Sequence, residues 1–236
     1  MKISLVYDNR LDAPGFESGW GFSCLIETSG RRILFDTGDS GQKLMGNLKA
    51  LDVSPRSIDT VILSHDHWDH TGGLEDFLKN NGKADIFIAS SFNPDFEKNI
   101  SFYPAPVTRV SESLKISEGV ITTDELNGLT GPDEIGIVLF SEKGPVLICG
   151  CAHPGVVSMV RNASKISNGS VYAVFGGAHF YKSQDNEIKK AMDDLRAEGV
   201  KKSGLCHCTG DAAMDMFRKA WREDFIDFAS RRVIEL

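Results

Sequence analysis

The chain has 236 residues, 26 Lys+Arg against 33 Asp+Glu for a formal charge of −7, and a composition 41% hydrophobic, 9% aromatic and 25% charged. These proportions exclude disorder and collagen-like repetition and leave room for one large domain or two small ones. No stretch nears the roughly 18 apolar residues of a membrane span, Asp8 breaks the N-terminus too early for a signal peptide, and the acidic balance disfavours polyanion binding by charge, so a cytoplasmic protein is expected.

In chain order, apolar runs at Ile3–Val6, Gly21–Glu27, Ile33–Asp36 and Thr60–Leu63 predict strands. Between the last two, Leu44, Met45, Leu48 and Leu51 stand near helical spacing over 42–51, and Pro55 stops that helix. A helix over 73–80 and a strand over 86–89 continue the alternation. From Phe92 to Leu129, Pro94, Pro104, Pro106 and several glycines interrupt every pattern, which predicts loops or a hairpin covering a site. Runs at 135–140 and 146–149, joined by Ser141-Glu142-Lys143-Gly144-Pro145, have the composition of a hairpin. A helix over 155–164, a buried strand over 171–175, a charged helix over 186–198, a short strand over 204–206 and an amphipathic helix over 212–221 complete the reading. No linker, repeat or shift of composition divides the chain, so a single α/β domain over 1–236 is expected.

The six histidines are His65, His67, His70, His153, His179 and His207, each close behind a predicted strand. Three share Ser64-His65-Asp66-His67-Trp68-Asp69-His70, directly after the strand 60–63. In extended backbone, residues two apart face alike, so His65 and His67 can address one ion, while Asp69 and His70, turning before Thr71-Gly72-Gly73, can address a neighbouring point. Imidazole and carboxylate suit zinc, iron or manganese. A structural zinc site closes with four ligands, fewer than six histidines and Asp69 supply. Five cysteines occur: Cys24 alone, and Cys149, Cys151, Cys206 and Cys208 as two Cys-x-Cys pairs beside histidines. Free thiols or metal neighbours are expected rather than disulfides. Alternation would put Cys149, Cys151 and His153 on one side, and would turn Cys206 and Cys208 away from His207 into the core.

The string His65-Asp66-His67-Trp68-Asp69-His70 resembles the HxHxDH signature of the metallo-β-lactamase superfamily, and Asp36-Thr37-Gly38 resembles its upstream Asp-Thr-Gly strand end. Gly150-Cys151-Ala152-His153-Pro154-Gly155, Gly176-Gly177-Ala178-His179-Phe180 and His207-Cys208-Thr209-Gly210 are similar to one subgroup, related to dihydropterin-ribofuranosylaminobenzene phosphate synthase. The resemblance implies a four-layer αβ/βα sandwich with one or two divalent cations, zinc first, with iron or manganese also compatible. It implies His65 and His67 on one metal, Asp69 and His70 on the other, and His207 as the late ligand of the second. No Asp follows the hairpin where the common pattern has a bridging one, so His153 is the expected middle ligand and Glu134 a lesser stand-in. Asp36 either orients a metal-bound imidazole or caps a turn. His179 is a ligand, an acid/base group or an oxyanion donor, and the glycines before it permit close approach to a ligand.

The activity implied is hydrolysis of a small anionic ester, amide or phosphoester by metal-activated water, with Asp69 and His179 catalytic. Phe96, Phe102 and Tyr103 are candidates for stacking on a flat ring, and Lys98 or Arg109 for receiving a phosphate. A transferase of the synthase type, an iron oxidoreductase and a non-catalytic metal-binding protein are the alternatives. The expected partner is a small anionic molecule, with neither nucleic acid nor membrane, and oligomerisation stays open.

Overall fold

The computed structural model describes residues 1–10, 14–28, 30–228 and 233–235. Its elements in chain order are β1 (Lys2–Tyr7), β2 (Ser23–Glu27), β3 (Arg32–Phe35), α1 (Gly41–Ala50), β4 (Thr60–Leu63), α2 (Trp68–Thr71), α3 (Leu74–Asn80), β5 (Asp85–Ala89), α4 (Phe96–Asn99) and β6 (Val107–Val110). There follow β7 (Lys115–Ser117), β8 (Val120–Thr122), β9 (Ile137–Ser141), β10 (Gly144–Cys149), α5 (Val156–Ser167), β11 (Ala173–Gly176), α6 (Asp185–Ala197), β12 (Lys202–Leu205), α7 (Asp211–Trp221) and β13 (Val233–Glu235). The fold divides into two compact units, one up to Ser111 together with β13, the other Glu112–Phe228.

Among the described residues the first unit carries a seven-stranded mixed sheet in the order β13-β1-β2-β3-β4-β5-β6. From β3 to β6 the pairs are parallel, Leu34 lying beside Val61 and Val61 beside Ile86. Strands buried on both faces read as unbroken apolar runs, and β4 is buried at every residue. Helix α1 buries Leu44 and Leu48 and starts at Ser40, whose side chain accepts from the Lys43 N–H. On the same face Asn47 is buried without loss, because its amide donates to the carbonyls of Val6 and Glu17.

The second unit carries a six-stranded sheet in the order β12-β11-β10-β9-β8-β7. Its pairs β10–β11 and β11–β12 are parallel and the rest antiparallel. Ser141 pairs with Gly144, so the hairpin predicted from composition turns on Glu142-Lys143. Helices α5, α6 and α7 lay Met159, Val160, Ile188, Leu195, Met214 and Phe217 into one apolar cluster with Leu147 and Val174. Gln184 and Glu187 close a reciprocal capping box at the start of α6.

Segment 92–129 holds the expected hairpin, β7 paired antiparallel with β8, but its strands also extend the sheets. It contributes β6 to the first sheet and β7 and β8 to the second. Strands of three or four residues are too short to show a period between prolines and glycines, so only pairing reveals them. No helix among the described residues is long and apolar enough to cross a membrane.

Candidate metal centre

In the first unit the chemistry gathers at the carboxyl ends of the adjacent parallel strands β3 and β4, where an α/β sheet leaves backbone and side chains directed outward. Asp36 follows β3 with φ +58° and is fully buried. Its Oδ1 accepts the Ser64 N–H at 2.7 Å, and its Oδ2 accepts the Ser64 hydroxyl at 2.8 Å and His70 Nδ1 at 2.7 Å. Ser64 Oγ also lies 2.8 Å from His65 Nδ1. Since that hydroxyl gives its proton to Asp36, it accepts from His65. One carboxylate therefore fixes both rings with Nδ1 protonated and leaves Nε2 of His65 and His70 as lone-pair donors.

Those donors face their neighbours. His65 Nε2 stands 3.1 Å from His67 Nδ1, the rings of His65 and His70 are 4.1 Å apart, and His70 Nε2 is 3.9 Å from Asp69 Oδ2. Two nitrogens on one tetrahedral cation, each bonded at 2.0–2.1 Å, stand roughly 3.3 Å apart, so His65 and His67 are already spaced as a ligand pair. The turn α2 sets the next two residues: His70 N donates to the His67 carbonyl at 3.0 Å, and Thr37 grips the His70 carbonyl through both its N–H and its hydroxyl, each at 2.8 Å. Asp36 thus serves both readings that the sequence left open, as orienter of imidazoles and as a turn residue. Asp66, by contrast, is exposed and accepts the Asn93 N–H at 3.0 Å. Cys24 is buried, and burial, reinforced by the charge of Asp36, pushes its thiol well above the usual range.

In the second unit the corresponding residues stand at the ends of β10, β11 and β12. Glu134, fully buried, accepts the N–H groups of Gly150, Cys151 and Ala152 on Oε1 at 2.9–3.0 Å and that of His153 on Oε2 at 2.9 Å. Four charge-assisted bonds hold the loop that presents Cys151 and His153. Glu134 is consequently not placed as the stand-in ligand expected from sequence, because both its oxygens are spent on backbone. Ligand atoms of Cys151, His153 and His179 all lie within 4.8 Å of one another, as do those of Cys151, His207 and Cys208. The rings of His153 and His179 are 4.5 Å apart, Thr130 Oγ1 lies 3.3 Å from His153 Nδ1, and His179 Nδ1 is buried with no hydrogen-bond partner.

Alternation misplaces two cysteines. Strand β10 ends at Cys149 and Ala152 takes φ +55°, so the segment turns, leaving Cys149 in the apolar cluster while Cys151 and His153 leave it. Likewise β12 ends at Leu205, and residues 207–209 form a 3₁₀ turn with φ +50° at His207. Cys206 and Cys208 are both buried as expected, but that turn brings the Cys208 sulfur within 4.8 Å of a ring nitrogen of His207 instead of facing it away. The thiols differ accordingly. Burial pushes Cys149 up, with Glu134 and Cys208 adding to it. Burial also opposes ionisation of Cys208, but hydrogen bonding at Cys151 and His179 and the charge of His207 outweigh it and hold that thiol below its usual range.

The glycines before His179 serve the chain itself. A Cβ on Gly176, at φ +98°, would meet the Cys149 carbonyl at 2.0 Å, and one on Gly177 would meet the Gly150 carbonyl at 2.4 Å and Cys208 Sγ at 2.5 Å. The candidate phosphate and ring contacts also change roles. Arg109 is bidentate to Glu97 and bonds the carbonyls of Ser90, Phe92 and Asn93, and Lys98 pairs with Asp95. Phe96 stacks edge-on against Phe92, and Phe102 lies 92% exposed. The sequence reading missed Ser64 and Thr37 as positioning groups and Cys208 as a neighbour of His207. Thr209-Gly210 was the available sign that the chain turns there.

A family model described as the metallo-β-lactamase superfamily matches residues 21–160. The chain is 32% identical to the 7,8-dihydropterin-6-methyl-4-(β-D-ribofuranosyl)-aminobenzene-5′-phosphate synthase of Methanocaldococcus jannaschii, covering 98% of this chain and 96% of that protein. A solved metal-dependent hydrolase of the β-lactamase superfamily is 26% identical with a TM-score of 0.84, covering 100% of this chain and 99% of that one. The short form of human tRNase Z, 14% identical and with a TM-score of 0.69 over 100% of this chain and 99% of that one, shares the fold.

Proposed function

The chain belongs to the metallo-β-lactamase superfamily and has its fold, and from that premise we propose that it is a metal-dependent hydrolase acting on a small anionic ester, amide or phosphoester. In this reading His65, His67, Asp69, His70, His153 and His207 are the metal ligands, for one or two divalent cations with zinc preferred. The observation that carries it is the Asp36 network, which fixes the tautomers of His65 and His70 so that both Nε2 atoms are donors. A buried carboxylate used this way makes sense for imidazoles that must ligate and adds little to a merely packed core.

A cation bound by these donors supplies Lewis-acid polarisation and lowers the pKa of water toward neutrality. The protein's part is orientation. Asp69, buried at the first turn of α2, accepts a hydrogen bond from the attacking water and aligns it. His179 directs its ring toward developing negative charge, and its buried Nδ1 is the polar atom free to do so. Five cysteines without a disulfide fit a reducing, cytoplasmic setting.

The second reading is a synthase in which a ribofuranosylaminobenzene phosphate displaces phosphate or pyrophosphate from a phosphorylated dihydropterin precursor. It is favoured by the 32% identity along nearly the whole of both chains. The test is turnover of a panel of phosphomonoesters, phosphodiesters, lactones and β-lactams by the metal-loaded protein and by Asp69→Asn. Hydrolysis by the wild type, lowered at least about 100-fold in the variant, supports the hydrolase. No hydrolysis, together with condensation of the pterin and aminobenzene partners, supports the synthase instead.

A further inference from the structure

The second unit's cluster contains two thiols and three imidazoles, and neither of its donor groups includes a carboxylate. Cys151 belongs to both groups, next to His153 and His179 on one side and to His207 and Cys208 on the other. At zinc–sulfur distances near 2.3 Å, two thiolates on one tetrahedral ion stand roughly 3.8 Å apart. The sulfurs of Cys151 and Cys208, within 4.8 Å, need only a small adjustment to share one ion. Both residues are buried, and their loops are held independently of any ligand. Glu134 clamps the backbone at Cys151, and the turn that carries Cys208 is closed by the Thr209 N–H on the Cys206 carbonyl at 3.1 Å. Gly177 is the gap that admits the Cys208 sulfur, since a Cβ there would occupy its place.

Building on the metal-dependent reading above, we propose that Cys151 and Cys208 are thiolate ligands, so that the second unit offers a mixed sulfur–imidazole site with His207 for a borderline-soft divalent cation such as zinc. On ligation each thiol loses its proton to solvent and its sulfur lone pair enters the coordination bond, so no oxidant or reductant is involved. The thiolates bring to the cation negative charge that this unit's neutral imidazoles cannot supply.

Cobalt(II) reports this directly, because a thiolate bound to it gives an intense near-ultraviolet charge-transfer band that nitrogen and oxygen ligands do not. The full-length protein, freed of metal and titrated with cobalt(II) under reducing conditions, is expected to show that band saturating with bound cobalt. Cys151→Ser and Cys208→Ser each remove part of it and the double variant removes all of it. Cys149→Ala, whose thiol lies in the apolar cluster, keeps it. The wild-type spectrum needs no substitution, so misfolding of a variant does not weaken the test. Cobalt bound without the band overturns the thiolate assignment and leaves the metal-dependent reading standing. A band that survives in the double variant also overturns it, and failure to bind cobalt at all overturns both.

Discussion

Asp36 concentrates the argument at the scale of single residues. Its carboxylate accepts three hydrogen bonds, and an Asn there must turn its NH₂ toward one of those donors. The tautomer of His70 or the bond to Ser64 is then lost while the backbone stays in place. Asp36→Asn is expected to weaken divalent-metal affinity by about 10–100-fold, read by chelator competition, with the far-ultraviolet dichroism unchanged. Unaltered affinity would mean that the network supports packing alone. Glu134 gives the complementary case, a buried carboxylate spent on backbone. Glu134→Gln leaves one acceptor oxygen where there were two, so at least one buried N–H loses a charged partner and the unfolding free energy should drop by about 3 kcal/mol. Urea denaturation measures this, and a loss below about 0.5 kcal/mol would contradict the assigned role.

At the scale of elements, the parts read best from sequence are those whose chemistry is local. The strand Thr60–Leu63 has the predicted bounds because a fully buried parallel strand is a continuous apolar run ending abruptly in polar residues. The histidine string after it is legible for the same reason, since one turn places all its side chains. The segments around Cys151 and Cys208 are not, because left-handed residues at Ala152, His179 and His207 break the two-residue period on which any facing argument depends. Non-glycine residues at positive φ are strained, and apart from the turn signal at Thr209-Gly210 the composition of these stretches does not announce them. Four of the seven in the described chain, Asp36, Ala152, His179 and His207, stand among or beside the candidate ligands of their own units. Ala152→Gly removes the Cβ penalty at φ +55° and is expected to raise stability by up to about 1 kcal/mol, seen as a higher urea midpoint. A lower midpoint would show that the conformation is held without strain.

At the scale of the whole molecule, titration and metal content are the global readouts. Burial of Glu27 raises its pKa, but hydrogen bonds and charge from Lys2 and Arg32 outweigh burial and lower it overall. A carboxylate whose folded pKa is depressed adds stability above its unfolded pKa, near 4.3, and that stability disappears as pH falls through the folded value. The gap in urea midpoint between wild type and Glu27→Gln should therefore be present at pH 7 and close progressively below about pH 4. A gap that widens in acid would reverse the sign. In the proposed function the histidine string holds a catalytic cation, and elemental analysis of metal per chain in the purified wild type and in His65→Ala checks this. At least one divalent cation per wild-type chain and a clear loss in His65→Ala are expected, whereas equal metal content in the two proteins would rule the site out.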